Sequence, residues 1–132
     1  MASDYNPDDR WTDTPVRNYL ESSCTAIFTA AYLKAMRLGL LGEEFLPTAS
    51  RAYRGFVERF MVHDGRGGVH LLGSCRSAGL SGGKQRDGSA AYYLLGKDTR
   101  PTGPDSVDFF TEGKVLGGFI MAATEWERRG KK

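Results

Sequence analysis

The sequence predicts an all-α protein of helical hairpins in two layers, with a short β-hairpin near residues 61–75. Three observations predict it. The stretch CTAIFTAAYLKAM, residues 24–36, carries one charge, Lys34, and is apolar around most of its circumference. From Ala49 to Met61, by contrast, Ala49, Ala52, Tyr53, Phe56, Val57, Phe60 and Met61 form one stripe, with Arg51, Arg54, Glu58 and Arg59 off it. The stretch VLGGFIMAATEW, residues 115–126, is again apolar all round. An enveloped helix beside a half-exposed one defines an inner and an outer layer.

The elements follow in order. Residues 1–17 are a polar arm containing Pro7 and Pro15. Asn18 followed by Glu21 has the spacing of a capping box, and the first helix runs from Leu20 to Leu38. Gly39 stands where a left-handed helix end is wanted. The second helix begins at Glu43 or Pro47 and runs to His63. HDGRGG then forms a turn, and GVHLLGSC a strand with Val69, Leu71 and Gly73 on one side. Residues 76–88 are a glycine-rich loop, SAAYYLLG a short apolar element, and residues 96–110 a loop with Pro101, Gly103 and Pro104. The last helix spans Thr111 to Arg128, with Glu112 in a first turn that favours an anion. Gly117 and Gly118 each cost about 1 kcal/mol of helix propensity relative to Ala, and a close approach of another element explains them. Residues 129–132 are a solvated tail.

Composition narrows the function. A chain of 132 residues makes one small domain, and 40% hydrophobic with 26% charged residues is a globular balance. Eighteen basic side chains against 16 acidic ones give a net charge of +2, too weak a field to select nucleic acid or an anionic membrane. Cys24 and Cys75 make neither a disulfide framework nor a zinc knuckle. His63 and His70 lack metal-site spacing and read as surface or turn residues, so no metal or cofactor is expected. The opening MASDYNPDDR is polar and acidic, unlike a signal segment, and no apolar run has the length of a membrane span. A cytoplasmic protein is the expectation.

One motif invites a wrong reading. LSGGKQR, residues 80–86, matches the signature of ABC-type ATPases. That signature serves ATP bound on a P-loop, and Lys84 is followed by Gln85, with no Gly-Lys-Ser or Gly-Lys-Thr anywhere in the chain. Nucleotide hydrolysis is excluded.

A longer pattern remains: NYLESSCTAIFTAAYLKAMRLGLL, then AYRGF, DGRGGVHL, SAGL and RDGSAAYYL, then EGKVLGGFIMAATEWE. Over residues 16–128 it resembles the carboxy-terminal part of the unsaturated rhamnogalacturonyl hydrolases of glycoside hydrolase family 105, related to family 88. The resemblance implies an (α/α)6 toroid, with residues 20–38 and 111–128 as inner helices, 47–63 as an outer one, and residues 18–128 supplying its last third. It implies hydration of the unsaturated uronic sugar left by a polysaccharide lyase. An Asp protonates the vinyl ether, water adds, the ring opens, and no paired-carboxylate displacement is involved.

The family's catalytic Asp comes from upstream of the NYLESS helix. No residue of this chain is therefore assigned the acid, and the chain alone is expected to be inactive. What it could supply is wall. Tyr92 and Tyr93 could stack on a sugar, and Glu112 and Lys114, in the first turn of the last helix, would face the toroid mouth. Arg86 and Asp87 read as a turn-fixing pair, and Glu21 as a helix cap. The partner implied is an unsaturated oligosaccharide, provided the toroid is completed.

Two other readings stand beside this. Two enveloped helices need more neighbours than the chain offers, so it could be a helical assembly module that pairs with copies of itself or with an upstream chain. It could also be an active enzyme using Asp13, Asp87 or Asp108, although loop aspartates usually form turns.

Overall fold

The fold is that of a computed structural model, of which residues 20–75 and 113–130 are described. Helix α1 spans Ser22–Arg37, a 3-10 turn Glu43–Phe45, and helix α2 Leu46–Phe60. Strands β1, Met61–His63, and β2, Val69–Leu71, form an antiparallel hairpin with Val62 opposite His70. Helix α3 spans Gly113–Gly130. The all-α reading with a short β-hairpin is what the chain adopts.

Packing fixes the directions of the helices. Gly118 lies against Ala26 and Ile27 near the starts of α3 and α1. Glu125 meets Arg37 near their ends, so the two helices run parallel. Helix α2 runs back against them: Ala49 packs in a cluster with Leu33 and Met36, and Phe56 and Phe60 pack in another with Ala26 and Val115. Buried Ala49, Ala52, Phe56 and Phe60 keep to one face of α2, as the stripe requires. A ladder of rings fills the groove. Tyr53 stacks on Trp126 at 4.7 Å between centroids, Phe119 on Phe56 at 4.7 Å, and Phe60 meets Phe56 edge-on at 5.5 Å.

Several local readings are corrected. Helix α1 starts at Ser22 rather than Leu20, and its N-cap is Glu21, whose side chain accepts from the Cys24 amide, so Glu21 is not the inner member of a capping box on Asn18. Helix α2 stops at Phe60, because residues 61–63 turn into the hairpin ladder instead of extending the helix to His63. Helix α3 continues through Gly130, past Arg128. Gly39 does close α1 in the left-handed region, at φ 71°.

The two glycines of α3 separate. A side chain at Gly118 would come within 3.2 Å of the Ala26 Cβ, the expected close approach, whereas nothing among the described residues lies within 4 Å of one at Gly117. The expectation that α1 is buried on nearly all sides is also corrected. It is buried along Ala26, Thr29, Ala30, Leu33 and Met36, but Ile27 and Phe28 are about half exposed, as are Leu116, Ile120 and Met121 of α3.

Candidate functional site

Because α1 and α3 run parallel, their first turns lie at one end of the structure, beside the β-hairpin. Glu21 organises this end. Its Oε1 accepts the Cys75 amide at 2.8 Å and its Oε2 the Cys24 amide at 2.6 Å, while the Ser23 hydroxyl donates to both oxygens at 2.8 and 2.9 Å. The Ser22 amide adds a bond to the Gly73 carbonyl at 3.0 Å. Gly73 has φ 75°, and a Cβ there would stand 2.7 Å from the Phe60 ring, so glycine alone lets the chain pass between the helices. One carboxylate thus ties the start of α1 to the exit of the hairpin, 54 residues later.

The electrostatics assign Glu21 its part. Burial pulls its carboxyl pKa up, but the Cys24 and Cys75 amides and the Ser23 hydroxyl outweigh that and hold it below the ordinary value. It is an acceptor fixed in its ionised form, as a cap should be. Partial burial and the adjoining Glu21 push the Cys24 thiol up to about 11, which removes it as a nucleophile near neutral pH. The Ser22 hydroxyl is fully buried and has no hydrogen-bond partner among the described residues.

A second polar group closes the hairpin tip. Asp64 Oδ1 accepts the Arg66 and Gly68 amides at 2.8 and 2.9 Å, and Oδ2 lies 3.3 Å from His70 Nε2. The two amides lead in holding the Asp64 carboxyl below its usual range. His70 is therefore a turn partner, and His63 is exposed. Among the described residues, no group of three His, Cys, Asp or Glu side chains is disposed to hold a metal ion. No helix among them is long and apolar enough to cross a membrane.

Of the anticipated wall residues, Lys114 is exposed on the first turn of α3, at the same end as the Glu21 network. Tyr92, Tyr93 and Glu112 lie outside the described residues, as do Asp13, Arg86, Asp87, Asp108 and the LSGGKQR stretch. Their flanks are placed, however. Cys75, bound to Glu21, and Gly113, which opens α3, both lie at this end. Sequence reasoning missed the tie between Glu21 and Cys75, and also the pairing of Arg37 with Glu125, whose two bonds of 2.6 and 2.9 Å join residues 88 apart. No local pattern marks partners at such separations.

Comparison with known proteins converges on one group. The profile of Glycosyl Hydrolase Family 88 matches residues 10–129. Protein Atu3128 of Agrobacterium fabrum and a 24.9 kDa protein in the picA locus of Rhizobium radiobacter are each 39% identical over 114 residues, covering 82% of this chain and 45% of theirs. A solved C. acetobutylicum glycoside hydrolase from family 105 superposes with a TM-score of 0.71 at 37% identity, over 84% of this chain and 28% of that one. The chain thus spans less than half the length of the curated relatives it matches.

Proposed function

From the fact that the chain belongs to glycosyl hydrolase family 88, we propose that it supplies closing hairpins of an (α/α)6 toroid that hydrates the unsaturated uronic sugar left by polysaccharide lyases. In this reading α1 and α3 are inner helices, α2 is an outer one, and the end organised by Glu21 is the rim of the sugar site. The single observation that carries it is the parallel α1–α3 pair, sealed by α2 on one side and apolar on the other. Inner helices of a larger ring have this asymmetry.

The chemistry follows from what this end lacks and what it provides. A general acid for vinyl ether protonation needs a pKa near the working pH. Glu21 and Asp64 are instead held below the ordinary carboxylate range. In this reading the protonating Asp is supplied by the remainder of the toroid. This chain contributes wall: Lys114 at the rim, with Tyr92, Tyr93 and Glu112 in or beside the stretch that departs from it.

Two preparations test this. The purified chain is incubated with an unsaturated rhamnogalacturonan disaccharide, and loss of the double bond's ultraviolet absorbance is followed. In parallel, the chain replaces the matching segment of the C. acetobutylicum family 105 protein. No turnover by the chain alone, with turnover by the chimera, is expected. Sustained turnover by the chain alone would sink the proposal and send attention to Asp13, Asp87 and Asp108. The exposed Ile27, Phe28, Ile120 and Met121 favour a second reading, a non-catalytic module that pairs through these helices. A stable dimer together with an inactive chimera would select it.

A further inference from the structure

The end opposite Glu21 holds a feature that the wall role leaves unused. The C-termini of α1 and α3 and the 3-10 turn border a half-open pocket of about 240 Å³ lined by Met36, Arg37, Glu43, Arg128 and Arg129. Three arginines therefore border one small space. Glu125, 7% exposed, fixes two of them: Arg37 Nε and Nη2 donate to it at 2.6 and 2.9 Å, and Arg128 Nη1 donates at 3.4 Å. Arg37 leads in holding the Glu125 carboxyl below its usual range, so this anchor stays charged. Glu43 reaches Arg129 from a side chain that is 65% exposed.

We propose that this cavity is a binding site for a small dicarboxylate. The charge count gives the valence. If Glu43 swings away, the charges of Arg37, Arg128 and Arg129, with Lys34 close enough to act on Glu125, stand over the single carboxylate of Glu125, an excess that calls for an anion of at least two charges. The chemical type follows from the present occupants, since each arginine here is already matched to a carboxylate, the planar anion that the guanidinium fork fits. Glu43 is the displaceable one, because it is exposed and its pair is worth little.

The negative pole of α1 does not repel the ligand strongly, because its last carbonyls are occupied. The amides of Leu38, Gly39 and Leu40 bond to Lys34, Met36 and Ala35 at 2.8 to 3.1 Å. The volume is below that of drug-sized pockets and suits a four- to six-carbon diacid.

The test is a titration of the full chain with succinate, read by the arginine Nε–H resonances, with neutral succinamide as the isosteric control and inorganic phosphate as the competing anion. Saturable millimolar binding of succinate and none of succinamide is expected, with shifts confined to Arg37, Arg128 and Arg129. Glu43→Gln should tighten binding about 2- to 5-fold, the scale of an exposed ion pair, and Arg128→Ala should weaken it at least as much. Both positions are exposed enough that folding should survive, which an unchanged amide spectrum would establish. Absence of saturable shifts in both the wild type and Glu43→Gln would overturn the site. Phosphate binding more tightly than succinate would overturn the dicarboxylate assignment.

Discussion

The two faces of the α1–α3 pair are made of the same kinds of residue and have opposite surroundings. Towards α2, Ala26, Phe56, Phe60, Leu71 and Val115 are closed in a core. On the other side Ile27, Phe28, Leu116, Ile120 and Met121 stand about half exposed. The difference teaches that an apolar circumference states how much cover a helix requires, not how much its own chain provides. In the proposed toroid that cover comes from the neighbouring inner helices.

Breaking the closed face should cost most. Phe56→Ala removes a ring that is 1% exposed and in contact with Phe60 and Phe119, so a loss of about 3–5 kcal/mol is expected, read as a lower urea midpoint. Next comes the pair that pins the far ends of the helices together. Arg37 depresses the Glu125 pKa below the ordinary 4.5, so its stabilisation is complete above that value and lost as pH falls through the folded one. Arg37→Met should therefore unfold more easily at neutral pH and lose less on acidification. Urea midpoints at neutral pH and at about pH 3 measure the contrast.

A smaller and sharper test uses the adjacent glycines. Gly117→Ala meets no neighbour among the described residues and should gain about 0.5–1 kcal/mol of helix propensity, whereas Gly118→Ala should forfeit that gain against Ala26 and Ile27. In a completed toroid the ordering should narrow, because Gly117 then acquires a neighbour. Thermal midpoints of the chain and of the chimera decide. The smallest stability effect belongs to the open face: Phe28→Ser with Ile120→Ser should change stability by less than about 0.5 kcal/mol each. The pair should abolish any concentration-dependent association seen in sedimentation. A large destabilisation would mean that this face is already packed.

The closed face was legible in the sequence because periodicity encodes it: the spacing of apolar residues along α2 is enough to pick out Ala49, Ala52, Phe56 and Phe60. The hairpin was legible from its glycine-rich turn. The termini of the helices were not. Glu21 could be a first-turn residue or a cap, and the Cys24 amide makes it the cap, while its second tie, to the Cys75 amide, is distant in sequence. The arginine cluster was invisible for the same reason, since Arg37 comes from α1 and Arg128 and Arg129 from α3. Of the anticipated wall residues, Lys114 could be located by parallelism alone. Long-range polar pairs depend on how helices are set against each other, and no local pattern records that.

The Glu21 tie has a consequence for how such a chain can diversify. With residue 75 clamped by its amide and residue 113 opening a helix whose Val115 packs with Ala26, the two positions that bracket residues 76–112 are held on one frame. Closing a loop twice as long costs only about 0.6 kcal/mol more. Lengthening or shortening a chain segment between two anchors held this way is therefore cheap in closure entropy, and the helices that carry the anchors need not change.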